Sequence, residues 1–115
     1  MKILIVEDEI RISNLLKIYL SRESYQVTVT DNGDDGLAQA LQEDYDLIIL
    51  DVFMPGKNGF TVLEEVRKLK DTPVIMLSAQ NEEQGLGLGA NAFISKPFSP
   101  GAVVSKVKEI LSAKN

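Results

Sequence analysis

The sequence predicts an α/β fold: a five-stranded parallel sheet flanked by five helices in three layers. Three observations lead there. Short apolar runs alternate five times with longer amphipathic segments along 115 residues, the pattern of β-α units around a parallel sheet. Ile3 to Val6 and Leu47 to Leu50 are apolar without a break, as in strands covered on both faces. No internal repeat, low-complexity tract or linker interrupts the alternation.

Ile3 to Val6 reads as the first strand. Ile12, Leu15, Leu16, Tyr19 and Leu20 recur with a 3.6-residue period and share one face of a first helix. Tyr25 to Thr30 alternates, predicting a second strand more exposed than the first and stopped at Asp31-Asn32-Gly33. Leu37, Ala38, Ala40 and Leu41 mark the second helix. Leu47 to Leu50, the most apolar run, is the third strand and ends at Asp51. Pro55-Gly56 and Asn58-Gly59 break the next loop, before a third helix carrying Val62, Leu63, Val66 and Leu69. Pro73 precedes a fourth strand, Val74 to Leu77. A weaker fourth helix spans about residues 81 to 88 and stops at Gly89, a C-capping position. Ala92 to Ile94 is the last strand. Beyond Lys96-Pro97, Ser99 and Pro100 occupy the N-cap and first position of a fifth helix. Its stripe is Val103, Val104, Val107, Ile110 and Leu111.

The length suits one compact domain over residues 1–115. Seventeen acidic against 12 basic residues give a net charge of -5, which argues against this domain gripping nucleic acid by itself. The absence of cysteine and histidine excludes disulfides and the usual zinc sites, leaving carboxylates as ligands for a hard cation. The opening MKILIVEDE reaches acidic residues too soon for a signal peptide, and no apolar run approaches membrane-spanning length. A cytoplasmic protein with no membrane contact is expected.

Function is suggested by the residues that end the apolar runs. Glu7 and Asp8 follow the first strand, Asp51 the third, Ser78 the fourth and Lys96 the fifth. Parallel strands place all of them at one edge of the sheet, where ligands of open α/β folds bind near a topological switch point. An order of 2-1-3-4-5 would bring Glu7 and Asp8 beside Asp51. Three clustered carboxylates repel unless a cation or proton compensates, and Mg²⁺ prefers oxygen ligands. Lys96 and Ser78 add a positive charge and a hydroxyl donor, a set able to surround a phosphoryl group during transfer. Taken singly, each residue has an ordinary explanation: a helix-start acid for Glu7 and Asp8, a turn cap for Asp51, a strand-end hydroxyl for Ser78, a solvated loop charge for Lys96. Their joint placement favours the site. Gly85-Leu86-Gly87-Leu88-Gly89-Ala90 has glycine spacing suggestive of a dinucleotide site, but it lies at the end of a helix instead of opening one from a strand. A P-loop is absent as well.

The stretches ILIVEDE, LIILDVFMPGKNG, PVIMLSA and GANAFISKPF, in this order and at these separations, resemble the receiver domain of bacterial two-component response regulators across essentially the whole chain. The PGKNG loop and the GLGLGA and KPF segments look most like receivers that precede a winged-helix DNA-binding domain. The resemblance implies a flavodoxin-like fold with Asp51 as phosphoacceptor. It implies that Glu7 and Asp8, as an acidic pair, hold Mg²⁺ together with Asp51 and the backbone carbonyl of Phe53, with Mn²⁺ as a substitute. It also implies Ser78 as the switch hydroxyl, Lys96 as the lysine that pairs with the phosphoryl group, and Phe93 as the aromatic switch residue. The Lys96-Pro97 bond is cis in the family. A phenylalanine has no hydroxyl to donate, so an inward turn of Phe93 would rest on packing.

The implied partners are a sensor histidine kinase and a second copy, joined through the fourth helix, fifth strand and fifth helix. Asn91-Ala92 stands where an Asp-Asp pair is common, and Lys106 and Lys108 where arginine is usual, so the charged dimer interface lacks two acidic partners. The implied activity is self-catalysed phosphorylation and dephosphorylation without conventional turnover, with transcription controlled through an output domain absent from this chain. Two other classes stay open. An aspartate-nucleophile phosphatase uses similar groups, but needs a second aspartate where Phe53 stands. A non-phosphorylated adaptor of the same fold would bind partners without metal or Asp51.

Overall fold

The computed structural model describes residues 1–78 and 87–113. Five strands, β1 (Lys2–Val6), β2 (Gln26–Thr30), β3 (Leu47–Asp51), β4 (Val74–Ser78) and β5 (Ala92–Ser95), form one parallel sheet in the order β2-β1-β3-β4-β5. This is the order expected from the sequence. Four helices are seen among the described residues, against five expected: α1 (Ile10–Arg22), α2 (Gly33–Gln42), α3 (Gly59–Leu69) and α4 (Pro100–Ala113). Apart from its last two residues, the helix predicted over 81–88 lies outside the described residues, as does the first part of the glycine-rich stretch 85–90.

Alternation along the central strands divides the core in two. Ile3, Ile5, Leu47, Ile49, Ile75 and Leu77 face Leu16 and Leu20 of α1 and Val103, Val107 and Leu111 of α4. Leu4, Val6, Ile48, Leu50, Val74 and Met76 face Ala40 of α2 and Val62, Leu63 and Val66 of α3. Both faces of β1, β3 and β4 are thus dry, which is why these strands read as unbroken apolar runs. β2, one of the two edge strands, is half-exposed along most of its length.

The helical stripes are narrower than the periodicity predicts. Leu15 is 42% exposed and Tyr19 only half-buried, leaving Leu16 and Leu20, with Ile12, as the apolar anchors of α1. Ala38 of α2 and Leu69 at the end of α3 are exposed. Helix starts follow side-chain chemistry: Asn32 Oδ1 accepts the Asp35 N–H at 2.8 Å, and Asn58 Oδ1 accepts the Thr61 N–H at 3.0 Å. Ser99 Oγ accepts the Ala102 N–H at 3.2 Å ahead of Pro100, as the sequence predicts. The acidic run does not begin a helix: α1 opens at Ile10 with Glu9 at its N-cap and no acidic residue in its first turn.

Candidate functional site

Backbone hydrogen bonds carry the sheet ladder one residue past β1, β3 and β5 and fix where the polar residues stand. The Glu7 N–H donates to Thr30 O at 3.0 Å, the Val52 N–H to Leu77 O at 3.1 Å and the Lys96 N–H to Ser78 O at 2.8 Å. Val6 lies opposite Leu50 in the register, and Asp51 opposite Leu77. Glu7, Asp51, Ser78 and Lys96 therefore emerge at the same edge of the sheet, on the four adjacent strands β1, β3, β4 and β5.

Glu7, Asp51 and Ser78 are only 1%, 4% and 2% exposed, whereas Asp8 is exposed. One oxygen from each of Glu7, Asp8 and Asp51 lies within 4.8 Å of the other two. Lys96 Nζ stands 3.0 Å from Glu7 Oε1 and 3.2 Å from Asp51 Oδ1. The second Glu7 oxygen, Oε2, accepts the Glu9 N–H at 3.1 Å. Lys96 thus bridges the two buried carboxylates. Its contact with Glu7 was not foreseen from the sequence, because a separation of 89 residues leaves no local signal.

Burial dominates the electrostatics. It raises the Glu7 carboxyl to a pKa of about 7; the Glu9 amide and Lys96 pull it down without cancelling the rise, and the Asp51 charge adds to it. Burial likewise raises Asp51, against the pull of Lys96. At Lys96 burial opposes the charged form, but Glu7 and Asp51 outweigh it and hold its pKa above the usual range. Three carboxylates facing one lysine leave an excess of negative charge in a poorly solvated place. The donor set is all oxygen, so these residues fit a hard divalent cation such as Mg²⁺ or Mn²⁺ and not a thiolate- or imidazole-loving metal.

The remaining residues singled out from the sequence lie on β5 and on the loops that follow β3 and β5. Phe53 follows β3, its side chain 60% exposed, in a loop closed where the Gly59 N–H donates to Val52 O at 2.7 Å. Phe93, on β5 opposite Met76, is half-buried against the core on the α2 and α3 side. The Lys96-Pro97 peptide is cis.

Asn91 has a role that the sequence reading missed. Its Oδ1 accepts Arg67 NH2 at 3.0 Å and the Val74 N–H at 2.9 Å, while Arg67 also donates to Gly89 O and Thr72 O. No motif flags this pair, since its members lie 24 residues apart.

A family model for the response regulator receiver domain matches residues 3–108. The chain belongs to this family. The receiver domain is 48% identical over 114 aligned residues to the transcriptional regulatory protein ResD of Bacillus subtilis, covering 96% of this chain and 48% of that protein. It is 44% identical over 114 aligned residues to SrrA of Staphylococcus aureus, also a transcriptional regulatory protein, covering 96% of this chain and 47% of that one. The chain spans about half the length of the curated relatives it matches. Among solved structures, the receiver domain of Francisella response regulator 1452 superposes with a TM-score of 0.93 at 28% identity, covering 99% of this chain and 98% of that one. A phosphorylation-activated switch of two-component signalling is what this receiver domain is. No helix among its described residues is long and apolar enough to cross a membrane.

Proposed function

We propose that Asp51 is the residue phosphorylated, and that the phosphoryl donor is a phosphohistidine on a sensor histidine kinase or a small acyl phosphate. The observation that carries this reading is the buried Asp51 carboxylate, within 4.8 Å of two further carboxylates and 3.2 Å from Lys96 Nζ at one sheet edge. An Asp51 oxygen attacks phosphorus and the new O–P bond forms as the donor's bond breaks: the N–P bond of a phosphohistidine, whose imidazole leaves with a proton from solvent, or the O–P bond of an acyl phosphate, which leaves as a carboxylate. Glu7, Asp8, Asp51 and the Phe53 carbonyl hold Mg²⁺, or Mn²⁺ in its place, which supplies the positive charge that lets a phosphoryl group enter an acidic pocket.

Lys96 exchanges its carboxylate contacts for a phosphoryl oxygen, and the Ser78 hydroxyl donates to another. Hydrolysis reverses the bond change. Water attacks phosphorus, the Asp51 carboxylate departs, and inorganic phosphate and a proton are released. The domain therefore acts on itself and does not turn over a separate substrate. Movement of Ser78 toward the phosphoryl group opens space for Phe93, which biases the β5 surface toward a second state.

In a protein of the ResD and SrrA kind, that state would act on transcription through a further domain, with no direct nucleic-acid contact by this one. Pairing of two copies through the 81–88 segment, β5 and α4 belongs to the same reading. Asn91 is already engaged by Arg67 and Val74, and Ala92 is buried, so such a dimer draws on groups other than an acidic pair at these positions.

Intact mass after incubation with acetyl phosphate tests the proposal, comparing the native chain with Asp51→Asn, with and without Mg²⁺. One added phosphoryl group that requires both is expected. Equal labelling of Asp51→Asn would overturn it.

A further inference from the structure

The first turn of α2 is packed against the loop that carries Phe53. Gly33, the first residue of α2, donates its N–H to Pro55 O at 3.2 Å. A Cβ built on Gly33 would lie 1.8 Å from Lys57 O and 2.6 Å from Lys57 C. Both are backbone atoms, so a side chain there must move the loop or the helix. Gly56 approaches from the opposite side at φ +78°, where a Cβ would meet Asp34 Oδ2 at 2.4 Å. Lys57 Nζ is 3.9 Å from Asp34 Oδ1. Residues 55–57 are thus seated on the start of α2, and Phe53 and Met54 form the short span between them and Val52.

We infer that Gly33 is a positioning residue for the phosphoacceptor pocket: the close seat it gives residues 55–57 fixes where the Phe53 carbonyl lies, and through it the affinity for Mg²⁺. The inference rests on the reading of that carbonyl as a metal ligand. Mg²⁺ demands near-ideal octahedral geometry, and groups that orient a ligand affect metal affinity by about 10- to 100-fold. The Asp34–Lys57 pair is exposed and at the limit of ion-pair distance, so it contributes little on its own. The contact at Gly33 carries the effect. Alanine is a better helix former than glycine, and Gly33 does not have a positive φ. Local helix energetics therefore give Gly33→Ala no reason to weaken a metal site two strands away.

The test uses the whole chain as Gly33→Ala, with Gly101→Ala as the control, since a Cβ at Gly101 meets nothing within 4 Å. Three quantities are measured: Tm in EDTA, the Mg²⁺ concentration that gives half of the Mg²⁺-induced rise in Tm, and the Mg²⁺ concentration for half-maximal labelling by acetyl phosphate. For Gly33→Ala both Mg²⁺ midpoints should rise about tenfold or more, with labelling restored at saturating Mg²⁺, while Gly101→Ala tracks the native chain. Unchanged midpoints in a folded Gly33→Ala protein would overturn the inference. Should Gly33→Ala fail to fold in EDTA, Gly56→Ala strains the same loop through the positive φ of residue 56 and carries the same expectation, and unchanged midpoints there overturn it equally. A native chain with no Mg²⁺ response in Tm or labelling would instead remove the reading of the pocket, and the inference with it.

Discussion

Burial places the Glu7 carboxyl at a pKa of about 7 in the folded chain, against 4.5 for an ordinary glutamate. The folded state then binds more protons than the unfolded state between these values, so stability falls as pH rises through that window. The contribution is fully present below about 4.5 and lost above about 7. Without a divalent cation this loss is expressed in full, and Asp51, raised in the same direction, adds to it. Urea denaturation in EDTA should accordingly show a lower midpoint at pH 8 than at pH 5. Glu7→Gln should flatten most of that slope, and an unchanged slope would rule Glu7 out as its source. Lys96→Met should leave the Glu7 and Asp51 charges unopposed and slow labelling by acetyl phosphate by about 100-fold, read from initial rates. A polar residue closing an apolar run marks a strand end, so Glu7, Asp8, Asp51, Ser78 and Lys96 were legible as a set. What each touches was less so. The Lys96 bridge to Glu7 and the Asn91 clamp join residues with no periodic or motif relationship.

At the scale of elements, strands were read more closely than helical faces. The five strand positions agree with the structure to within a residue at each end, because dry strands announce themselves as apolar runs. Leu15 was placed in the core by its period, yet it lines an open hollow of about 260 Å³ with Ile12, Pro97 and Phe98. Periodicity gives the direction of a helical face, but the width that is covered depends on the neighbouring segment. The junction of α2 and α3 was not legible at all. α2 has no basic residue in its last turn. Lys70, just past α3, instead donates to Ala40 O at 2.9 Å and Glu43 O at 2.8 Å, and pairs with Asp44 at 3.2 Å. These bonds satisfy carbonyls that a helix end leaves free. Lys70→Ala should lower stability by about 1–2 kcal/mol, seen as a shift of the urea midpoint with the slope of the transition unchanged. A shift in midpoint too small to resolve would show that water serves those carbonyls as well.

For the whole molecule, sheet order is the inference on which the site depends. Only with β1 beside β3 do Glu7 and Asp8 meet Asp51, and the observed order β2-β1-β3-β4-β5 provides that. Apolar runs alone do not set that order; the motif resemblance implied it, and strand-end carboxylates at Glu7, Asp8 and Asp51 agree with it. On the proposed reading, Mg²⁺ bound in the pocket would be a stabilising ligand by mass action, worth about 2.7 kcal/mol at 100 times its dissociation constant. Tm should therefore climb with Mg²⁺ in the native chain and much less in Asp51→Asn. The most direct measurement for the central claim locates the phosphoryl group itself. The native chain is treated with acetyl phosphate and Mg²⁺, reduced with borohydride to convert an aspartyl phosphate to homoserine, and mapped by peptide mass spectrometry. Homoserine at position 51 and nowhere else is the predicted result; homoserine at another aspartate, with position 51 unmodified, would contradict the account.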